Sequence, residues 1–228
     1  LECYVEFDSA DSADTINQKS GGTERYYLTP GLPDITAAAG AVMSGNGGHG
    51  WIGYSPLLDP FFTHRSGAEQ ATEFTLAATV TTPSDQIRSH DGSAFHNVTI
   101  AQIEGLAKLY AIPVSGSPDY LKFAIDVTTG GGTTQLTSHT VQAATGTEYV
   151  VSAVRASDDL RLEVSTGGGA PTVANTSLSD TNGPLFDETK PPEVLIGIER
   201  DRTVGDDGEQ YENRWRGAIK EVAFYATA

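Results

Sequence analysis

Alternation with a period of two residues runs through this chain and restricts it more than any other feature. In Phe74-Thr75-Leu76-Ala77-Ala78-Thr79-Val80-Thr81, the residues Phe74, Leu76, Ala78 and Val80 fall on one side. Between Tyr120 and Val127, the apolar Leu121, Phe123, Ile125 and Val127 alternate with Lys122, Ala124 and Asp126. Asp159-Leu160-Arg161-Leu162-Glu163-Val164 is apolar on one side and charged on the other. Successive side chains of a β-strand point to opposite faces, so each segment reads as a half-buried antiparallel strand. Segments 98–103, 149–154 and 194–198 are apolar on both faces, which predicts central strands covered on each side. Helical periodicity is nearly absent, and the best stretch, 103–111, is interrupted by Gly105. The chain reads as all-β.

The punctuation fits a sandwich. Two strand ends run into three glycines, Gly130-Gly131-Gly132 and Gly167-Gly168-Gly169, and both predict glycine turns of one chemistry used twice. Near the C-terminal end the apolar phase shifts between Ile219 and Val222, which predicts a β-bulge. The glycine-rich segment 40–50 reads as a flexible loop, and 167–192 as a second long loop ending in Pro191-Pro192. No Pro- or Ser-rich linker divides the sequence. The expected architecture is one domain over 1–228, a two-sheet antiparallel sandwich of jelly-roll type, with a long Gly-rich insertion around 21–67.

Charge removes whole classes of partner. The 228 residues carry a formal net charge of −16, and a surface of that sign repels nucleic acid and anionic membranes. No apolar run is long enough to span a bilayer. Cys3 is the single cysteine, so an intrachain disulfide and a cysteine zinc cluster are both excluded.

The order of the strands resembles that of laminin-G-like domains, members of the concanavalin-A-like jelly-roll superfamily. The closing run Trp215-Arg216-Gly217-Ala218-Ile219-Lys220-Glu221-Val222-Ala223-Phe224-Tyr225 is similar to the family's last strand, Gly-x-Ile-Asp-Glu-Val-x-x-Tyr. The run from Phe74 to Val80 resembles an early strand, and Val194-Leu195-Ile196-Gly197 the one that precedes the closing strand. Residues 148–155 followed by 160–164 resemble the central hairpin, and Tyr4-Val5-Glu6-Phe7-Asp8 an opening strand beside the closing one. Three positions depart from the pattern. Lys220 stands where the family has Asp, Ser165-Thr166-Gly167 replaces its Asp-Gly turn, and 21–67 has no counterpart. The resemblance implies a fold that mostly handles carbohydrate and often carries calcium.

Candidate sites lie in the loops. Trp51, Tyr54, Phe61 and Phe62 cluster beside His49 in a glycine-rich setting, and aromatic faces next to polar groups suit sugar rings. The expected ligand-binding residues are therefore Trp51, Tyr54, His49 and Phe62. Asp201, Asp206, Asp207 and Glu209 crowd an irregular acidic segment with two glycines. Such segments supply the six to eight oxygens that calcium takes, so these four are the expected metal ligands. Asp8, Asp11 and Asp14 form a similar but sparser group.

Two catalytic patterns are incomplete. Glu199-Arg200-Asp201 begins a glucanase-like Glu-x-Asp-x-x-Glu strand, but Val204 occupies the place of the second Glu. Gln102-Ile103-Glu104 resembles the Gln-Ile-His strand of alginate-type lyases with Glu in place of the His. The expectation is a non-catalytic module that binds a glycan or polysaccharide, in an extracellular, cell-surface or virion protein. Its rivals are a lyase or hydrolase acting on the concave face, and a purely structural domain assembling into a larger protein.

Overall fold

The computed structural model describes residues 2–6, 17–18, 35–37, 41–43, 50–52, 73–82, 97–115, 117–142, 146–180, 194–197, 199–201, 210–212, 215 and 218–225. The first strands are β1 (Glu2–Glu6), β2 (Asn17–Gln18), β3 (Ile35–Ala37), β4 (Ala41–Met43), β5 (Gly50–Ile52) and β6 (Glu73–Thr81). The middle of the chain forms β7 (Val98–Ile103), β8 (Ala107–Val114), β9 (Ser117–Thr129), β10 (Gly132–Thr137), β11 (Val141–Gln142) and β12 (Glu148–Ala156). Then come β13 (Asp159–Thr166), β14 (Thr172–Ser177), β15 (Val194–Ile196), β16 (Glu199–Asp201), β17 (Gln210–Glu212) and β18 (Ala218–Tyr225). Among the described residues there is no helix.

Two antiparallel sheets carry the fold. One is nine-stranded, ordered β14-β13-β12-β6-β18-β1-β2, with β4 pairing β18 and β3 pairing β4. The other is seven-stranded, ordered β10-β9-β8-β7-β15-β5, with β11 also on β9. β16 and β17 form a separate pair. Neither sheet closes on itself, and the result is the two-sheet jelly-roll sandwich that the strand order resembled.

Alternation places the core between the sheets. Phe74, Leu76 and Val80 of β6, Leu160 and Leu162 of β13, and Leu121, Phe123, Ile125 and Val127 of β9 are all inaccessible to solvent. Each such side chain contributes about 1.5–3 kcal/mol by leaving water. Phe123 and Tyr149, from opposite sheets, meet with ring centroids 5.3 Å apart at an interplanar angle of 59°, a tilted geometry that aromatic quadrupoles favour. The Tyr149 hydroxyl donates to the Gln142 carbonyl of β11, so the buried phenol is satisfied. Burial alone raises the Tyr149 pKa.

The closing strand behaves as its sequence implies. Ile219, Val222 and Phe224 are buried, and the register against β6 shifts between Ile219 and Glu221, where the apolar phase predicts a bulge. β1 lies antiparallel beside it, Glu2 opposite Tyr225. Trp215 is core, 1% exposed, and its backbone N–H donates to the Gly197 carbonyl at 2.9 Å. The Gly197 N–H in turn donates to the Ile100 carbonyl of β7 at 2.8 Å, which ties the approach to β18 to the other sheet.

Four expectations need correction. β12 alternates instead of being covered on both sides: Val150 is 41% exposed while Tyr149, Val151 and Ala153 are buried. Val150 sits between Thr79 and Ser165, two small polar neighbours that leave its face open. The two triglycine turns differ. Gly167 and Gly168 have φ of 54° and 77°, and the Gly169 N–H donates to the Thr166 carbonyl, the φ signature of a type I′ turn. In the other, Gly132 takes the positive φ, and the Thr129 hydroxyl accepts from the Gly131 N–H and donates to the Gly132 carbonyl. The segment 40–50 is not all loop, since β4 and the start of β5 lie in it; 167–192 likewise contains β14. The insertion 21–67 supplies strands to both sheets: β3 and β4 to the larger, β5 to the smaller.

Candidate functional site

The outer face of the seven-stranded sheet holds an organised polar cluster. Core-facing residues of β9 are odd-numbered and those of β8 are Ala107, Leu109 and Ala111. Lys108, Tyr110, Ala124 and Asp126 therefore point the other way. Strand register aligns them into two rows. One runs Trp51, Leu195, Gln102, Lys108, Asp126, Gln135 across six strands. The next runs Thr99, Tyr110, Ala124, Thr137.

Asp126 is the hub. Its Oδ1 accepts the Tyr110 phenol proton at 2.8 Å and an amide N–H of Gln135 at 3.3 Å. Gln135 Nε2 also donates to the Tyr110 hydroxyl. Lys108 Nζ lies 3.8 Å from Asp126 Oδ2 and 4.8 Å from the centre of the Tyr110 ring, so the ammonium meets a carboxylate and an aromatic face together. The Lys108 and Asp126 side chains keep 25% and 22% of their surface. They are half-buried and still open to a ligand. Thr99, Tyr110, Ala124 and Leu195, on this same side, are at most 1% exposed. Their burial, away from the core between the sheets, locks the cluster's orientation.

A hollow of about 190 Å³ adjoins the cluster, lined in part by Gln102, Gly105, Lys108, Asp126, Thr128 and Thr133. The β7–β8 turn contributes to its lining. The Leu106 N–H donates to the Ile103 carbonyl at 3.0 Å, and Gly105 adopts φ 71°, which a type II turn requires at its third position. This explains why 103–111 lacks a helix. It also places Glu104 in the turn, beyond the end of β7, and not on the sheet face where a lyase-type histidine would stand. Thr128 and Thr133 hydroxyls lie 3.2 Å apart across β9 and β10.

The chemistry on offer is amide, hydroxyl, ammonium and carboxylate, with the Lys108 and Asp126 charges opposed. Such a set donates to and accepts from hydroxyl groups and presents little net charge. The two rows hold one carboxylate, Asp126, whereas a glycosidase needs two.

Trp51 sits on β5 opposite Leu195, at the end of the first row. Asp201 ends β16 opposite Gln210. His49, Tyr54, Phe62, Asp206, Asp207 and Glu209 lie outside the described residues, as do Asp8, Asp11 and Asp14. Among the described residues no group of three or more His, Cys, Asp or Glu side chains is placed to hold a metal. The sequence alone singles out Gln102, through the incomplete Gln102-Ile103-Glu104 pattern, but does not mark Lys108, Tyr110, Asp126 or Gln135 as a site. The signal available is Asp126 on the polar side of an alternating strand; the pairing that joins it to Lys108 and Gln102 is not local.

No protein-family model matches the chain, and no curated protein sequence matches it. Solved structures do. Domain 4 of AbnA, a GH43 extracellular arabinanase from Geobacillus stearothermophilus, in complex with arabinotriose, superposes with a TM-score of 0.56 at 13% identity, covering 98% of this chain and 90% of that one. The enzymatically active domain of tailspike protein 2 from bacteriophage CBA120 matches with a TM-score of 0.56 at 12% identity, over 92% of this chain and 30% of that one. The LG1-3 region of the laminin alpha2 chain matches with a TM-score of 0.47 at 12% identity, over 76% of this chain and 28% of that one. The chain thus spans less than a third of the tailspike and laminin chains. At these identities the likeness shows the fold alone.

Proposed function

We propose that the chain is a non-catalytic carbohydrate-binding module of an extracellular, cell-surface or virion protein, and that it takes a neutral, hydroxyl-rich glycan on the outer face of the seven-stranded sheet. The observation that carries this reading is the Asp126 hub with Lys108, Tyr110 and Gln135 beside the hollow. Its groups are held in place before any ligand arrives, which lowers the cost of ordering them on binding. The arabinanase domain in complex with arabinotriose, similar over almost the whole chain, supports the assignment. The single carboxylate in the two rows argues for binding over hydrolysis. Trp51 is the proposed aromatic partner at the far end of the row, with Tyr54, His49 and Phe62 contributing from the same insertion. Calcium is proposed for the acidic segment 201–209, between the paired ends of β16 and β17.

A glycan array probed in calcium and again in chelator tests both halves of the proposal. Binding to neutral oligosaccharides that Asp126→Ala abolishes, without growth of absorbance near 235 nm on uronate polymers, is the expected result. A blank array with the folded protein defeats the reading and favours a structural domain, and product formation favours a lyase. Loss of binding in chelator supports the metal, and unchanged binding removes it.

A further inference from the structure

One flank of the sandwich is poor in charge, with Asp180 at its margin, and both sheets end on it. β14 closes the order of the nine-stranded sheet and β10 that of the seven-stranded sheet. The two edges lie side by side, since β10 packs beside β13 and β14, and a Cβ on Gly131 in the β9–β10 turn would come within 3.2 Å of the Asp180 Cβ just beyond β14. Residues 127–147 and 164–179 contain no Asp, Glu, Lys or Arg, in a chain with 44 such residues (14 + 30) and a formal charge of −16. The inner neighbours of these edges are charged, with Asp126 on β9 and Asp159, Arg161 and Glu163 on β13.

β14 also lacks the devices that keep an edge strand from pairing. Thr172, Val173, Asn175 and Ser177 are exposed, with Val173 at 42%. Its six residues include no lysine and no proline, Pro171 standing just before it. Its register against β13 runs without a bulge from Asp159–Ser177 to Val164–Thr172. An exposed, straight, uncharged edge is a template for another strand.

We propose that β14 is a self-association edge, pairing antiparallel with β14 of a second copy of this chain about a two-fold axis and continuing the nine-stranded sheet from one copy into the other. A second copy is the occupant favoured by charge. Two acidic molecules repel, and an edge strand without a carboxylate of its own is where they approach with the least local repulsion. The strand is self-complementary, because uncharged Thr, Val, Ala, Asn and Ser oppose one another in an antiparallel self-pair. A basic partner, by contrast, finds no carboxylate on β14. The proposal is independent of the glycan reading.

Sedimentation velocity of the full chain from about 1 to 100 µM, a range typical of modest interfaces, tests it. The wild type moves from monomer toward dimer as concentration rises. V173E/N175E places like charges across the axis and raises the dimer dissociation constant at least about tenfold, and V173K/N175K does the same. An equimolar mixture of the two variants dimerises again, which shows that each is folded and that the edge is the contact. N175E alone, at an exposed position, gives a smaller shift in the same direction. Glycan binding by Glu and Lys variants stays at the wild-type level, so failure here is distinguishable from failure of the functional reading. A wild type monomeric throughout, a dimer indifferent to V173E/N175E, or a mixture that stays monomeric overturns the proposal.

Discussion

The outward side of β12–β14 and the outward side of β7–β9 obey the same alternation and end in different states. On the first, Val150 and Val173 are 41% and 42% exposed. There Arg161 and Glu163 form an ion pair at 3.2 Å with 53% and 29% of their side chains in solvent. On the second, Thr99, Tyr110 and Ala124 are at most 1% exposed, and the polar atoms of Tyr110, Asp126 and Gln135 bond one another. The comparison separates two questions that patterning merges. Period two decides which side chains face the core; it does not decide whether the remaining ones are solvated or organised. An exposed pair is worth about 0–1 kcal/mol, whereas a half-buried hub leaves unsatisfied partners when it is lost.

The largest effect is expected where both sheets depend on one residue. Phe123→Ala opens a cavity against Tyr149 and lowers stability by about 3–5 kcal/mol, read from urea unfolding. Alkaline titration comes next. Burial holds the Tyr149 phenol above its ordinary 10.0, so the folded chain keeps a proton that the unfolded chain releases sooner. Its contribution is fully present below about pH 10 and is lost as the pH rises through the folded value. Denaturation midpoints should fall in that window, and Tyr149→Phe should fall less steeply. Asp126→Ala, on the organised face, is expected to cost about 1–3 kcal/mol, because the buried Tyr110 hydroxyl loses its acceptor. The counterpart on the solvated face, Arg161→Ala, should stay within about 0.5 kcal/mol. Equal losses from Asp126→Ala and Arg161→Ala would falsify the distinction between the two faces.

Much of the architecture is legible in the sequence because it is local. The alternation in β6, β9 and β13 and the bulge after Ile219 follow from neighbours along the chain. The opening strand beside β18 is legible through a resemblance and is borne out by the register of Glu2 with Tyr225. Short or polar strands are not. β3, β4 and β5 are three residues each, too few to display a period, and β14 is built of Thr, Ala, Asn and Ser around one Val. β12 misleads for the opposite reason: its valines look alike in sequence, and only the neighbours across the sheet expose Val150. The candidate site is the least legible region. Its row takes one residue from each of six strands, and a row exists only once register is known. Trp51 stands out by its aromatic character and occupies the end of that row; Lys108 and Asp126 carry no local mark.

The pairing of β1 with β18 fixes how the sandwich meets mechanical load. Glu2 lies opposite Tyr225 in an antiparallel ladder, so tension applied at those two residues pulls from the same end of the pair. The ladder bonds then break in succession like a zipper instead of sharing the force, as they do when strands are sheared lengthwise. A module loaded in this way yields the β1–β18 ladder first, while β6 and β12, on the far side of β18, are spared until β1 has peeled away with β2 beside it.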